Sequence, residues 1–341
     1  MHARRLAAQL LTGTPAATAV DVAHRLLAVQ GQDPRGARLA VRARSSGLHS
    51  SAIDGALTED RSLLITWLNR GTLHLVRTED YWWLHPLTTP QLLTGNVRRL
   101  AQEGVSSTAA ERGVATVTQA LADDGPLTRL ELRERVAAAG VRVEGQALVH
   151  ILVLSALRGL TVRGPMKGGH HAFVLVEDWL GPRPEPLDRA AALAELARRY
   201  LSGHGPAAES DLARWAGIPL GQARQGFAAI RAETEPVGDG LVDLTDRPMT
   251  TALPPPKLLG PFDPVLLGWT SRADVLGPHQ SLVTVNGLFR PFALVRGKAV
   301  ATWRFAGGAV TVEPLEPIST TVLAALNKDA TAVEAFLAPD R

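Results

Sequence analysis

The feature that most constrains this chain is an order of elements that recurs: short helices followed by a β-hairpin, met three times before residue 250. In the first occurrence Arg4 to Leu11 predicts a short helix, which Thr12-Gly13-Thr14-Pro15 ends with turn residues. Apolar Val20, Ala23, Leu26, Leu27 and Val29 predict a second helix over 18–30, and Gly31 suits the left-handed position past its end. Asp33 before Pro34 reads as an N-cap with proline at the first helical position, opening a third helix to about Ser45. A short serine-capped helix follows from Ser51 to Glu59. Leu63 to Trp67 and Thr72 to Val76 then read as strands about an Asn69-Arg70-Gly71 turn.

The order returns with helices over 108–122, 128–138 and 145–157, the middle one opening at a capping box of Thr128 and Glu131. Strands over 160–164 and 171–176 form the next hairpin around Pro165 to His170. Past the linker Gly181-Pro182-Arg183-Pro184-Glu185-Pro186, helices over 189–202, 210–216 and 220–230 lead to a hairpin over 234–244 that turns at Gly238-Asp239-Gly240. Beyond the rigid Pro254-Pro255-Pro256, strands are expected at 281–285, 291–295, 298–304 and 309–312, and a last helix at 320–336.

Three helices and a hairpin is the order of a winged helix-turn-helix, whose last helix ordinarily lies in a DNA groove. The expected fold class is mainly α with β-hairpins (α+β). One winged helix spans 1–100, a second 105–180 and a third 187–250, with a β-rich C-terminal domain over 253–341.

A chain of 341 residues has room for several such domains. It holds no run of eighteen apolar residues and no signal-like N-terminal segment, so a cytoplasmic protein without a membrane partner is expected. The absence of cysteine removes disulfides, thiolate nucleophiles and cysteine-ligated metals together. Only Lys167, Lys257, Lys298 and Lys328 are lysines, so arginine carries nearly all the positive charge behind the net +3. A GC-rich genome accounts for much of that excess, which makes its distribution more telling than its total. The first fifty residues hold seven arginines against two aspartates, a bias suited to a phosphate-facing surface.

Gln30 and Gln32 would diverge by about 200° on a regular helix, but a break at Gly31 lets them converge on one point. As a bare motif the pair has no specificity and reads first as two solvated turn residues. Chemistry narrows the functional alternative: an amide is no base at neutral pH, so the pair can only orient a water or aim carbonyl dipoles at developing positive charge. Such a site serves an already activated substrate. Asp33 is a helix cap or a carboxylate beside that water, and Arg35 and Arg38 face phosphate or solvent.

Arg70 and His74 lie in the first hairpin, with Trp67 at its entrance packing in the core or bordering a site. Lys167, His170 and His171 make a cationic tip on the second, suited to the minor groove. Adjacent histidines lack the helical spacing of a zinc motif, so no metal is expected. Trp82 and Trp83 read as packing residues, and Asp263 and Arg272 are expected to pair across the β-rich domain. There is no P-loop, dinucleotide fingerprint or G-x-S-x-G elbow, and no cofactor is expected.

Val29-Gln30-Gly31-Gln32-Asp33-Pro34-Arg35, Asp60-Arg61-Ser62-Leu63, Thr66-Trp67-Leu68-Asn69-Arg70-Gly71-Thr72-Leu73-His74 and Gly260-Pro261-Phe262-Asp263-Pro264 carry a resemblance, joined by Arg290-Pro291, Gly297-Lys298 and Thr302-Trp303-Arg304. Together they resemble the winged-helix DNA glycosylases of the AlkZ/YcaQ type, from about residue 5 to 315. The resemblance implies a C-shaped scaffold of three tandem winged helices with a β-rich C-terminal part, whose basic concave channel holds duplex DNA; the expected partner is double-stranded DNA carrying alkylated purines, and the expected protein a nucleoid-associated monomer. It also implies hydrolysis of the N-glycosidic bond of N7-alkylated guanine, with Gln30 and Gln32 as the catalytic pair and the Lys167 to His171 hairpin near the minor groove. The two-glutamine form resembles the branch that unhooks interstrand crosslinks and often protects genotoxin producers. The chain departs from the family's pattern at Gly31, where a larger apolar residue is usual. The rival expectation is a non-catalytic winged-helix regulator or architectural DNA binder, in which the glutamines are turn residues.

Overall fold

The computed structural model describes residues 1–338. The chain divides into two compact units, Met1–Ile53 together with the chain from Leu193 onward, and Asp54–Ala192.

The amino-terminal part of the first unit holds α1 (His2–Ala8), α2 (Ala19–Leu26), the two-residue β1 (Val29–Gln30) and α3 (Pro34–Arg42). A reciprocal cap opens α2: Thr18 Oγ1 accepts the Asp21 N–H at 3.1 Å and the Asp21 carboxylate accepts the Thr18 N–H at 3.0 Å. The helix stops four residues sooner than its periodicity predicts. Leu26, Leu27, Ala28 and Val29 are all buried. The chain breaks at Leu27, with φ +63°, and extends through Gln30. The left-handed residue is therefore Leu27 and not Gly31. The start of α3 is as predicted, with Asp33 Oδ1 accepting the Gly36 N–H at 2.7 Å and Pro34 in the first turn.

The second unit follows α4 (Ser50–Thr58) with β2 (Leu63–Leu68), β3 (Thr72–Arg77), α5 (Thr78–Thr88), α6 (Leu93–Gln102), α7 (Ser107–Asp124), β4 (Leu127–Thr128), α8 (Arg129–Ala138), α9 (Ala147–Leu157), β5 (Thr161–Lys167), β6 (His170–Leu175) and α10 (Val176–Leu180). Its strands run β3-β2-β5-β6-β4, all antiparallel. The two hairpins read from sequence as successive wings thus lie side by side, joined where Ile65 meets Arg163. All six residues of β2 are buried, so this strand needs a neighbour and cover on both faces. The second hairpin is tighter than expected. Gly168 and Gly169 take φ +58° and +77° in a two-residue turn between Lys167 and His170, and Pro165, which cannot donate to the ladder, sits where the register shifts.

The rest of the first unit comprises α11 (Arg189–His204), α12 (Glu209–Ala216), α13 (Leu220–Ala229), the hairpin β7 (Thr234–Gly238) and β8 (Leu241–Leu244), β9 (Lys257–Leu259), α14 (Ala273–Leu276), β10 (Phe292–Val295), β11 (Lys298–Ala306), β12 (Ala309–Pro314) and α15 (Thr320–Leu337). A four-stranded sheet runs β12-β11-β10-β9. Its outer strands are β12 and β9, whereas the strand expected over 281–285 is a short 3-10 turn and a lone bridge from Val283 to Phe289.

Asp263 does not pair with Arg272. It forms a bidentate ion pair with Arg44, at 2.7 and 2.9 Å, with both side chains fully buried. Arg272 instead donates to the Leu266 carbonyl at 2.7 Å and covers the Phe289 ring. The pair joins the end of α3 to the Gly260–Pro264 segment, and two glycines let these pieces close. A Cβ on Gly36 would lie 2.5 Å from the Pro261 carbonyl oxygen, and one on Gly260 2.9 Å from Leu39 Cβ. Among the described residues no helix is long and apolar enough to cross a membrane.

Candidate functional site

The residues singled out from sequence fall into two groups, one in each unit. Gln30, Gln32, Asp33, Arg35 and Arg38 belong to the first. Trp67, Arg70, His74, Lys167, His170 and His171 belong to the second.

In the first group, the break at Leu27 turns the expected helix end into extended chain, so Gln30 lies on a strand. Its side chain is 6% exposed, and Oε1 is buried without a hydrogen-bond partner. Buried polar atoms nearly always have partners, because desolvating one without replacing its hydrogen bond costs about 1–3 kcal/mol. Gln32 is exposed and stands one residue before the cap of α3. The Asp33 carboxylate is engaged in that cap. Arg35 is exposed, with its guanidinium over the Phe305 ring at 5.5 Å. Arg38 turns inward, 9% exposed, and donates to the Pro34 carbonyl at 3.0 Å.

In the second group, Trp67 is buried and stacks on Phe173 at 6.3 Å, with the Arg163 guanidinium within 5 Å of both rings. Burial, helped by the Arg129 charge, lowers Arg163 to about 10, which leaves it protonated at neutral pH. His74 pairs across the hairpin with Thr66 and is 2% exposed. Burial first, then the Arg70 charge, pushes its imidazole down to about 3, so it is neutral at physiological pH, with Nδ1 2.8 Å from the Thr72 carbonyl. Arg70 is exposed at the turn.

The tip of the β5–β6 hairpin carries Lys167 and His170 exposed and His171 half-buried. Lys167 Nζ donates to Glu131 Oε1 at 2.8 Å and to the Pro126 carbonyl at 3.0 Å. The Lys167 ammonium and the Thr128 cap together hold Glu131 down to about 2.

Sequence reasoning missed other polar groups on the first hairpin. Thr66, opposite His74, and Thr72, opposite Leu68, share a face, and both hydroxyls are buried without partners. Asn69 is fully buried at φ +53°, with neither amide atom bonded. In sequence these read as ordinary strand and turn residues, and no signal distinguishes them. Among the described residues no group of three His, Asp or Glu side chains could hold a metal ion.

The family described as "DNA glycosylase AlkZ-like" matches residues 23–336. A curated relative from Streptomyces sahachiroi, an interstrand DNA cross-link repair glycosylase, is 29% identical over 97% of this chain and 94% of its own length. The solved structure of the Streptomyces sahachiroi DNA glycosylase AlkZ superposes with a TM-score of 0.79 at 26% identity, covering 98% of this chain and 95% of that one.

Proposed function

Because this chain belongs to the AlkZ-like family of DNA glycosylases, we propose that it hydrolyses the N-glycosidic bond of N7-alkylated guanine in duplex DNA, with Gln30 and Gln32 as the reacting pair. Alkylation at N7 leaves guanine cationic, so the base departs with the bonding electrons as a neutral molecule and an oxocarbenium-like sugar remains. A water held by the two amides adds to that sugar carbon and gives its proton to bulk water. The amide carbonyl dipoles stabilise the developing cation without titrating.

The observation that carries this reading is the buried, unpartnered Oε1 of Gln30. A side-chain carbonyl kept dry and unbonded costs stability unless it has a task, and pre-aimed dipoles act most strongly where water is excluded. The cross-link repair activity named for the Streptomyces relative supports extending the substrate to bulky and crosslinked guanine adducts, as in self-resistance to a genotoxic natural product. Arg35, Arg70, Lys167 and His170, all exposed, would contact the phosphates and minor groove. We read the helix-and-hairpin repeats as winged helices on this DNA and the protein as a monomer working at the nucleoid.

The test is base release from duplexes carrying one N7-methylguanine or one N7-linked interstrand crosslink. Abasic sites should form with wild type and fall to background with Gln30→Ala. Release equal to that from buffer alone on both substrates, with tight binding to one particular sequence, would instead support the regulator reading.

A further inference from the structure

We propose that the second unit carries a nucleotide-binding cleft made of residues outside the glutamine motif and both hairpin tips. The cleft has a volume of about 270 Å³ and lies between α5, the end of α9 and the linker after α10. Its choice of ligand rests on the chain's membership of a DNA-acting family, and its existence is independent of what Gln30 does.

Three features define the ligand. At the floor, Tyr81 is 1% exposed and its hydroxyl is buried without a hydrogen-bond partner. Beside it Trp82, half-buried and edge-on to Tyr81 at 5.2 Å, offers an indole wall, with exposed Pro86 as a second flat apolar surface. At the rim stand two arginines of unequal freedom. Arg158 is tied by two hydrogen bonds to Glu111, whereas Arg183 has no carboxylate within salt-bridge distance among the described residues. Arg183 nevertheless lies close enough for its charge to oppose the burial-driven rise of the Tyr81 pKa.

The remaining titratable group is occupied. His85 Nε2 donates to the Ala156 carbonyl at 2.9 Å, Nδ1 faces Thr89 Oγ1 at 3.5 Å, and burial lowers its pKa, so it is a neutral structural residue. With no base or nucleophile, the cleft binds and does not catalyse. A flat wall, a hydrogen-bonding group at the floor and one uncompensated cation at the rim match a single nucleotide: base on Trp82, base edge on the Tyr81 hydroxyl, phosphate on Arg183.

Calorimetric titration of the full chain with dGMP, and separately with a short single-stranded oligonucleotide, tests this. Binding of dGMP identifies a free nucleotide as sufficient; binding of the oligonucleotide alone identifies a nucleotide within an unpaired strand. In either case Tyr81→Phe, which removes only the hydroxyl, and Arg183→Gln, on the exposed linker, should each weaken binding about tenfold, the equivalent of one hydrogen bond or charge contact, with unchanged thermal unfolding. Gln30→Ala should bind as wild type does, which separates this site from the proposed chemistry. Absence of millimolar binding by both ligands, or binding unaltered in both cleft variants, would overturn the proposal.

Discussion

Replacing Asp263 by alanine should damage the first unit more than its distance in sequence from the glutamine motif suggests. Asp263 is fully buried and accepts three hydrogen bonds, two from Arg44 at 2.7 and 2.9 Å and one from the Val265 N–H at 3.0 Å. Its removal leaves the Arg44 guanidinium, also fully buried, with only the Ala40 carbonyl and Gln9 Oε1 as partners among the described residues, each at 3.0 Å. Breaking a buried pair on one side costs about 3–5 kcal/mol, because the surviving charge stays desolvated and uncompensated. Against a typical stability of about 5–15 kcal/mol, that removes a substantial part of the margin that keeps the first unit folded.

Urea unfolding followed by far-ultraviolet circular dichroism measures the loss directly. Two units need not unfold together, so the transition assigned to the first unit should move while that of the second stays. Asp263→Asn keeps an acceptor for the Val265 N–H and should fall between wild type and alanine. The double variant Arg44→Met with Asp263→Leu, which removes both charges, should recover most of the loss. A shift below about 1 kcal/mol for Asp263→Ala would refute the reasoning, since it would mean that Arg44 finds other compensation or water.

Other outcomes follow from the same geometry. Gly36→Ala would set a methyl 2.5 Å from the Pro261 carbonyl oxygen, which should cost about 1–3 kcal/mol and, by displacing the first turn of α3 just after Gln32, lower the excision rate; both are read from one purified variant. His74 and His204 are buried and each lowered to about 3, against about 6.5 in the unfolded chain. The unfolded chain therefore binds protons that the folded one refuses. Their contribution is whole above pH 6.5 and shrinks by up to about 1.4 kcal/mol per histidine per pH unit as pH falls from there towards 3. Denaturant midpoints between pH 7.5 and 5 should drop, and His74→Gln should flatten that slope. Lys167→Ala should weaken binding to undamaged duplex and reduce the salt slope of the logarithmic affinity by about 0.9, the share of one phosphate contact.

The features legible in the sequence were those specified within a few residues. Asp33-Pro34 announced the start of α3, the Thr128 and Glu131 box that of α8, and the polar turns the position of each hairpin. What escaped reading depends on distant residues. α2 ends at Leu26 and Leu27 takes φ +63°, although the apolar spacing runs on to Val29. The two hairpins merge into one sheet through Ile65 and Arg163, nearly a hundred residues apart, a pairing that no local pattern encodes. In sequence Arg44 counts only as one of the seven amino-terminal arginines and Asp263 is expected to meet Arg272; their pairing exists only through the packing of the core.

The candidate site divides in the same way. Gln30 and Gln32 could be picked out by residue type and position, while the burial of Gln30 Oε1, the unbonded amide of Asn69 and the neutrality of His74 are consequences of packing. Arg38 shows the converse: its place in a basic segment suggested an outward-facing contact, yet α3 is buried from Gly36 to Val41 and takes it inward.

The most direct test of the central claim is the single-turnover rate of N7-methylguanine release by wild type and Gln30→Ala, with duplex affinity measured for both. If the Gln30 dipole stabilises the departing-base transition state, its loss should slow release by about 10²–10³-fold, in line with removal of one pre-aimed dipole, while binding and unfolding midpoint stay within twofold and about 1 kcal/mol of wild type. The wild-type rate should also be flat between pH 6 and 8, because no group in the proposed step titrates there. Release by Gln30→Ala at the wild-type rate, with the same affinity, would contradict the account.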